Sequence, residues 1–385
     1  MTTQSPSERI PVTLLTGFLG SGKTTVLNQL VRQPELADAL VIINEFGEMA
    51  LDHMLVAHST QNIVMEMSSG CLCCTIRGDL VKTLRDITWR FSRHGQRQFS
   101  RVLIETTGLA DPAPIIHTLM THPQIAPMYR LDGIVTTVDL ATGSDTLNKH
   151  PEAIKQAAMA DVLLMTKADL TTDVQRAALC ERLKAINPAA PRWDVRNGEI
   201  APAKILDLGL FSPDSKTPDA VRWLKEEAYA EDGHSHAHHE DLDHDHDHDH
   251  DCGNADQHPH EEHEGHEHHR DDVNRHDDHI RAFCFAVDEP IPDDLLTAWL
   301  DMLMSFIGSN ILRVKGILNV EGQAQPVVIH GVQHIFHPPV SLPAWPSEDR
   351  RSRLVFITRD VGRAEIEATF YAFRHVLPQA GERAA

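Results

Sequence analysis

The sequence lacks any long apolar run, and this excludes a membrane-spanning helix. No stretch of its 385 residues approaches the roughly 18 apolar residues that such a helix needs. Residues 1–10 are polar and hold no apolar run ahead of a cleavage site, so they do not predict a secretory signal. We therefore expect a cytoplasmic protein with no membrane partner.

Positive charge is also in short supply. The chain has 35 Lys and Arg against 56 Asp and Glu, and its formal net charge is −21. Residues 231–279 alone hold 18 acids, two arginines and 16 of the 26 histidines, which accounts for −16 of that charge. Nothing predicts a broad basic surface that could neutralise a phosphate backbone, so we expect no nucleic-acid partner.

Cysteine is scarce, with six residues in the chain, and half of them are crowded together. Cys71, Cys73 and Cys74 lie within four residues, whereas the other three stand alone. In a reducing compartment a crowded set of thiols favours metal or redox chemistry over disulfides. This cluster is therefore a candidate site.

Short apolar runs alternate with segments of helical period from residue 11 to about residue 203. The predicted strands are residues 12–16, 40–44, 102–105, 133–138 and 162–166, and the predicted helices are residues 23–32, 76–93, 112–120, 151–159 and 173–186. Apolar strands separated by helices are typical of a parallel sheet covered on both faces. We predict a doubly wound, mostly parallel α/β domain over residues 1–212.

The pattern changes at residue 213. Within residues 213–279, the tract at residues 231–272 is rich in His and Asp and has too few apolar residues to offset the entropy of ordering the chain, so we expect a disordered linker. Alternating His and Asp over residues 243–251 offers imidazoles and carboxylates that bind borderline metal ions weakly. The alternative is a solvated acidic loop.

Periodic elements resume at residue 280. Strands are predicted at residues 280–287, 311–320, 327–330 and 353–358, with helices at residues 293–306 and 362–375. This order predicts a smaller α+β domain of the split βαβ kind over residues 280–385.

Residues 17–24 fit the phosphate-binding pattern G-x4-G-K-[ST], and they follow a predicted strand and open a predicted helix. Backbone N–H groups of such a loop turn toward the phosphates. We expect Lys23 to reach the β- and γ-phosphates and the Thr24 hydroxyl to bind Mg²⁺. The alternative is a glycine-rich turn without a ligand. The candidate nucleotide-binding residues here are Gly17, Gly20, Ser21, Gly22, Lys23, Thr24 and Thr25.

A second candidate segment follows the strand that ends at Glu105. A carboxylate there would lie beside the bound Mg²⁺ and position the attacking water for phosphoryl transfer, so Glu105 joins Lys23 and Thr24 as a candidate catalytic residue. Gly108 would offer its N–H to the γ-phosphate. The alternative is that Glu105 caps the turn at residues 106–111.

A third segment, Thr166-Lys167-Ala168-Asp169, ends a later strand where guanine-selective P-loop proteins carry N-K-x-D. Asp169 can accept hydrogen bonds from the ring N–H and the exocyclic amine of guanine, a pair that adenine lacks. The aliphatic part of Lys167 can cover the base. Thr166 stands where Asn is usual and removes one side-chain amide.

The cysteine cluster directly precedes a predicted helix. Soft thiolates favour Zn²⁺, Cu⁺ or Co²⁺, and a helix N-terminus helps to deprotonate them. The fourth ligand would be Glu45 or a water. Residues 44–48 lie where P-loop GTPases carry their first switch, so a contact of Glu45 or Glu48 with the metal or with Mg²⁺ would couple the nucleotide and metal states. Buried structural cysteines and a redox switch remain the alternatives.

Five segments, in this order, resemble the CobW-type metallochaperone GTPases: GFLGSGKTT, NEFGE, SGCLCCTIRGDL, ETTGLADP and TKADL. The resemblance implies GTP hydrolysis with Mg²⁺, coupled to metal delivery. It implies nucleotide roles for Lys23, Thr24, Glu105, Lys167 and Asp169, and metal binding by the three cysteines.

The function that we predict is a GTPase that loads Zn²⁺ at the cysteines and releases it to a client apo-metalloprotein after hydrolysis. One alternative is cobalt delivery for cobalamin synthesis or for activation of an enzyme such as a nitrile hydratase. Another is a zinc buffer in which the histidine tract is the functional part.

Overall fold

The computed structural model describes residues 9–43, 63–66, 74–94, 96–208, 279–336 and 339–376. The predicted linker, residues 213–279, lies outside these ranges except for His279. Within the described ranges, no helix has the length and apolar character needed to cross a bilayer.

The strands before residue 208 form one large sheet and one short hairpin. They are β1 (Ile10–Gly17), β2 (Ala39–Ile43), β3 (Ile63–Glu66), β4 (Ser92–Arg93), β5 (Gln96–Arg97), β6 (Arg101–Glu105), β7 (Tyr129–Asp139), β8 (Val162–Thr166) and β9 (Arg192–Asp194). Seven of them pair in the order β3-β2-β6-β1-β7-β8-β9, and every pairing is parallel. The carboxyl ends of these seven strands therefore share one edge of the sheet.

Six α-helices connect these strands within the described residues. They are α1 (Lys23–Leu30), α2 (Cys74–Arg90), α3 (Ala113–Thr121), α4 (Gly143–Lys149), α5 (Pro151–Met159) and α6 (Asp173–Ile186). Helix α6 begins with a capping box, in which the Thr172 side chain accepts from the Gln175 N–H and the Gln175 side chain accepts from the Thr172 N–H.

The sheet is covered on both faces, as the near-continuous apolar strands predict. Alternate residues of a strand point to opposite faces, and neighbours in β8 accordingly lie in different cores. Leu164 packs in the core that includes α1, and Leu163 packs in the core that includes α5 and α6. Helices α2 and α3 pack against alternate residues of β1 on the face opposite α1. The doubly wound α/β prediction is confirmed.

A second sheet follows residue 279. Its strands are β10 (Ile280–Val287), β11 (Ile311–Leu318), β12 (Val327–Val332), β13 (Ile335–Phe336), β14 (Val340–Ser341) and β15 (Ser352–Arg359), and its helices are α7 (Asp293–Ile307) and α8 (Arg363–Val376). The order β10-β15-β11-β12-β13 places β15 between β10 and β11, antiparallel to both. Strands β10 and β11 are therefore parallel, joined through α7 and split by β15, as the split βαβ prediction requires.

The second sheet has a core on each face. Helices α7 and α8 cover one face through an aromatic cluster in which Phe285, Trp299 and Phe370 pack edge to face. The opposite face packs against the first sheet's helices, and Leu312 and Ile357 share a core with α5 and α6. A shared hydrophobic core thus joins the two sheets.

Several element bounds differ from the prediction. Helix α1 ends at Leu30 rather than residue 32, and α2 begins at Cys74 rather than residue 76. Helix α4 and six strands were not predicted; the strands are β3, β4, β5, β9, β13 and β14. All of these elements are short, from two to seven residues, and runs of that length carry little periodicity to detect.

Candidate functional site

The P-loop is formed by the turn from β1 into α1, and its shape depends on glycine. Gly17 has φ +134°, and a Cβ there would lie 2.3 Å from Thr137 Oγ1 and 2.4 Å from the Thr137 carbonyl oxygen. Gly22, the N-cap of α1, is left-handed with φ 93°. These positions admit no other residue without strain or clash. The sequence pattern therefore follows from the local backbone geometry.

Lys23 is the first residue of α1 and lies along this loop. It is 8% exposed, and its Nζ donates to the carbonyl oxygens of Gly17 and Phe18, both at 3.0 Å. The ammonium group is thus placed inside the curve of the loop, where it can approach a phosphate.

Side chains of two other strands hold the back of the loop. The Thr166 hydroxyl, at the end of β8, donates to the Ser21 carbonyl oxygen at 2.8 Å. Ser21 Oγ and Thr137 Oγ1 are hydrogen-bonded at 2.6 Å. Thr166, which replaces the usual Asn, therefore connects the predicted guanine-binding segment directly to the P-loop backbone.

Thr24 and Glu105 are brought together by the pairing of β1 with β6. Thr24 Oγ1 donates to Glu105 Oε1 at 2.7 Å, and Glu105 is 5% exposed. A hydroxyl and a carboxylate are the hard oxygen ligands that Mg²⁺ prefers. Glu105 does not serve simply as a cap for the turn at residues 106–111, since its carboxylate accepts from the P-loop.

The segment after Glu105 approaches the P-loop closely at Gly108. A Cβ on Gly108 would lie 2.4 Å from the Leu19 backbone nitrogen, so any side chain there would push the two loops apart. Gln156 of α5 donates to the carbonyl oxygens of Gly108 at 3.2 Å and Ala110 at 3.0 Å. The position of this segment is therefore set by α5 as well as by β6.

Lys167 is oriented by an aspartate that the sequence analysis missed. Lys167 has φ 57°, and its Nζ donates to Asp139 Oδ2 at 2.7 Å. Burial raises the pKa of Asp139, but hydrogen bonds from Lys167, Ala141 and Thr142 outweigh burial and lower it. Asp139 ends β7 and is thus an anion beside the predicted base site. Asp169 is exposed, two residues beyond Lys167.

A detectable signal for Asp139 and Thr137 existed in the sequence. Both lie at the carboxyl end of a predicted strand next to the P-loop strand, the edge where open α/β sheets bind ligands. No comparable signal marked Gln156, because it lies within a helix and meets the Gly108 and Ala110 carbonyl oxygens only in the folded protein.

The predicted metal ligands are only partly within the described residues. Glu45, Cys71 and Cys73 lie outside them, and Cys74 is described as the first residue of α2. The described residues contain no group of three or more His, Cys, Asp or Glu side chains arranged to hold a metal ion.

The described strand ends show where the segments that carry the other predicted metal ligands begin. In the sheet, Ile43 at the end of β2 is in register with Glu105 on one side and with Glu66 at the end of β3 on the other. Residues 44–62 and 67–73 therefore each begin at the sheet edge that carries Glu105.

Three features together define a P-loop GTPase. A P-loop lies between a parallel strand and a helix, and the neighbouring strand ends in a carboxylate that accepts from the P-loop threonine. A T-K-x-D segment ends the strand two positions away in the sheet. Three comparisons with known proteins agree with this class. Residues 11–193 match the CobW/HypB/UreG nucleotide-binding domain, and residues 280–374 match the cobalamin synthesis protein cobW C-terminal domain.

The zinc chaperone YjiA of Escherichia coli (strain K12) is 30% identical over 365 residues, covering 95% of this chain and 99% of that protein. The zinc chaperone CobW of a Sinorhizobium species is 27% identical, covering 97% and 99%. The crystal structure of Zn(II)-bound YjiA GTPase from E. coli matches with a TM-score of 0.63 and 26% identity, covering 95% of this chain and 99% of that one. The chain belongs to the CobW family of P-loop GTPases.

Proposed function

We propose that this GTPase is a zinc metallochaperone. It binds Zn²⁺ through Cys71, Cys73 and Cys74, with Glu45 as the fourth ligand, and transfers the ion to a client apo-metalloprotein when GTP is hydrolysed. Thiolate and carboxylate ligands suit Zn²⁺. Relatives of nearly the same length are named zinc chaperones, which supports zinc as the cargo.

The strand register at the carboxyl edge of the first sheet carries this proposal. Glu105, whose carboxylate accepts from Thr24, is in register with Ile43. Glu45 is two residues beyond Ile43 in the chain, Cys71 and Cys73 lie in the chain between β3 and α2, and Cys74 begins α2. The two segments that carry the proposed ligands thus begin at strand ends next to Glu105, which supports the proposal that one nucleotide influences both.

The residues that we assign to nucleotide binding and hydrolysis are at the same carboxyl edge of the first sheet. Lys23 and the P-loop N–H groups bind the phosphates, and the Gly108 N–H contacts the γ-phosphate. Thr24 and Glu105 would hold Mg²⁺, which would supply positive charge for phosphoryl transfer. Asp169 selects guanine, and Lys167, oriented by Asp139, covers the base.

Hydrolysis releases zinc if the γ-phosphate orders residues 44–48. In the GTP state Glu45 and the three thiolates converge on one ion, and loss of the γ-phosphate separates them. Zinc must then tighten GTP binding by the same factor by which GTP tightens zinc binding. Couplings of this kind are typically about 1–3 kcal/mol, or roughly 5- to 150-fold.

A zinc titration tests the proposal directly. Residues 234–279 are deleted to remove the histidine tract, and zinc affinity is measured with GDP and with a non-hydrolysable GTP analogue. We expect tighter zinc binding with the analogue, in the range given above. Changing Cys71, Cys73 and Cys74 to Ser should abolish both the site and its dependence on nucleotide.

The matched control is Cys180→Ser, which alters a half-buried cysteine on α6 and should change neither affinity. Equal zinc affinities in the two nucleotide states would leave hydrolysis no means of releasing the ion. The zinc-buffer function would then be preferred. Repeating the titration with Co²⁺ decides between zinc and cobalt as the cargo.

A further inference from the structure

The surface formed by the second half of α2 and the β4–β5 hairpin carries a net positive charge in an acidic chain. Residues 82–97 contain five cations and a single acid, Asp86, for a net +4 in a chain of net −21. All five cations are exposed; they are Lys82, Arg85, Arg90, Arg93 and Arg97. We call residues 82–97 the basic patch.

An exposed tryptophan lies within the basic patch. Trp89 is 83% exposed, and its spacing from Lys82 and Arg85 places the three on one face of α2. The opposite face is buried, with Leu84 and Ile87 both 0% exposed in the core. Tryptophan and arginine are the residues most enriched at energetically important positions of protein interfaces.

Most of the charge of the basic patch is available to a partner. Among the described residues, Lys82, Arg90 and Arg93 form no ion pair. Arg85 pairs only with the adjacent Asp86, at 3.5 Å, and the two side chains are 55% and 39% exposed to solvent. Arg97 donates to the Phe99 carbonyl oxygen and lies over the Phe99 ring, which fixes its side chain without cancelling its charge.

We propose that the basic patch and Trp89 form the docking surface for an acidic protein partner. The partner's carboxylates meet the arginines, and an apolar pocket on the partner takes the Trp89 indole. A bilayer would need an apolar helix face to insert, and that face of α2 is already packed in the core. A nucleic acid would be repelled by the chain's remaining charge, which is strongly negative.

The position of the basic patch connects it to the proposed function, on which the following assignment rests. Helix α2 begins at Cys74, and Trp89 is on the same helix about 22 Å further along at the helical rise. A partner held at Trp89 would therefore contact the helix that starts with the last predicted zinc ligand. We assign this partner as the client apo-metalloprotein.

Fluorescence anisotropy with a labelled glutamate-rich peptide that has one central phenylalanine tests the docking surface. The full chain should bind this peptide, and a matched peptide with glutamine for glutamate should not bind. Reversing Arg85, Arg90 and Arg93 to Glu should weaken binding by about tenfold or more, and Trp89→Ala by about fivefold or more, as for interface anchors. Circular dichroism verifies that each variant is folded.

The matched control changes three exposed cations outside the basic patch to Glu, namely Lys184, Arg281 and Arg350. This variant has the same change in net charge, and its peptide affinity should differ from that of the unmutated protein by less than twofold. Equal weakening by the two triple variants would overturn the proposal. Tighter binding to phosphatidylserine vesicles or to single-stranded RNA than to the peptide would also overturn it. If deletion of residues 231–279 raises peptide affinity tenfold, the occupant is the chain's own acidic tract instead.

The basic-patch variants should keep the dependence of zinc affinity on nucleotide, because none of the changed residues belongs to the proposed zinc or GTP site. If the zinc titration fails and the peptide result holds, the docking surface stands and only the assignment of the partner as a zinc client is lost.

Discussion

Replacing Asp161 by Asn should destabilise the protein strongly, because Asp161 joins the two sheets. It precedes β8 and accepts from the Arg313 guanidinium, from Lys315 Nζ at 2.6 Å and from the Ile134 N–H at 2.9 Å. Arg313 also donates to the Met159 carbonyl oxygen at the end of α5. The Asp161 and Arg313 side chains are 7% and 6% exposed, so water screens little of this attraction.

The magnitude follows from the electrostatics of this network. Burial raises the pKa of Asp161, but Arg313, Lys315 and the Ile134 N–H outweigh burial and lower it from 3.8 to about 2. Because its pKa is lowered by folding, the ionised Asp161 carboxylate stabilises the folded state at pH values above its ordinary pKa of 3.8. This contribution is about 2 kcal/mol, and it is lost as the pH falls from 3.8 through about 2. The neutral amide of Asp161→Asn would also leave two cations buried without their carboxylate, so we expect a loss of about 3–5 kcal/mol at neutral pH.

Urea unfolding at neutral pH measures this loss, with Asp349→Asn as the control. The Asp349 pKa is also lowered, chiefly by its hydrogen bond with Arg351, but its side chain is 31% exposed. Solvent screening limits such a pair to about 1 kcal/mol or less. Equal stability losses for the two variants would refute the argument that burial makes the Asp161 network strong. The difference between Asp161→Asn and the unmutated protein should shrink between pH 4 and pH 2.

Four further substitutions test the nucleotide site. Asp169→Ala should cost about 1–3 kcal/mol of GTP affinity and remove discrimination against ATP, as measured by competition binding. Glu105→Gln should slow single-turnover GTP hydrolysis more than it weakens GTP binding. Thr166→Val, which removes the hydroxyl that bonds the Ser21 carbonyl oxygen, should lower the melting temperature and weaken GTP binding together. Asp139→Asn should weaken GTP binding less than Asp169→Ala, because Asp139 orients Lys167 and is not itself predicted to contact the base.

Particular outcomes would contradict each of these predictions. Equal affinity of the unmutated protein for GTP and ATP would remove the base-recognition role of Asp169. An unchanged hydrolysis rate in Glu105→Gln would exclude Glu105 from catalysis. Full GTP affinity in Thr166→Val would show that the P-loop needs no support from β8, and full affinity in Asp139→Asn would show that Lys167 needs no partner.

The sequence alone predicted the elements whose signals are local. The strand ending at Glu105 and the helix starting at Lys23 were predicted because apolar runs and the P-loop glycines depend on residues close together in the chain. The order of the elements also predicted the split βαβ pairing around β15. Short elements such as β9 and α4 were missed, because three to seven residues show no clear period.

Tertiary structure decided which distant residues meet. Thr24 and Glu105 are 81 residues apart, Lys167 and Asp139 are 28 apart, and Asp161 and Lys315 are 154 apart. No periodicity specifies such contacts, because they depend on which strands become neighbours and in which register. The sequence by itself therefore determined which motifs are present and in which order the helices and strands follow one another. The fold determined that Thr166 supports the P-loop, that Asp139 orients Lys167, and that one buried carboxylate joins the two sheets.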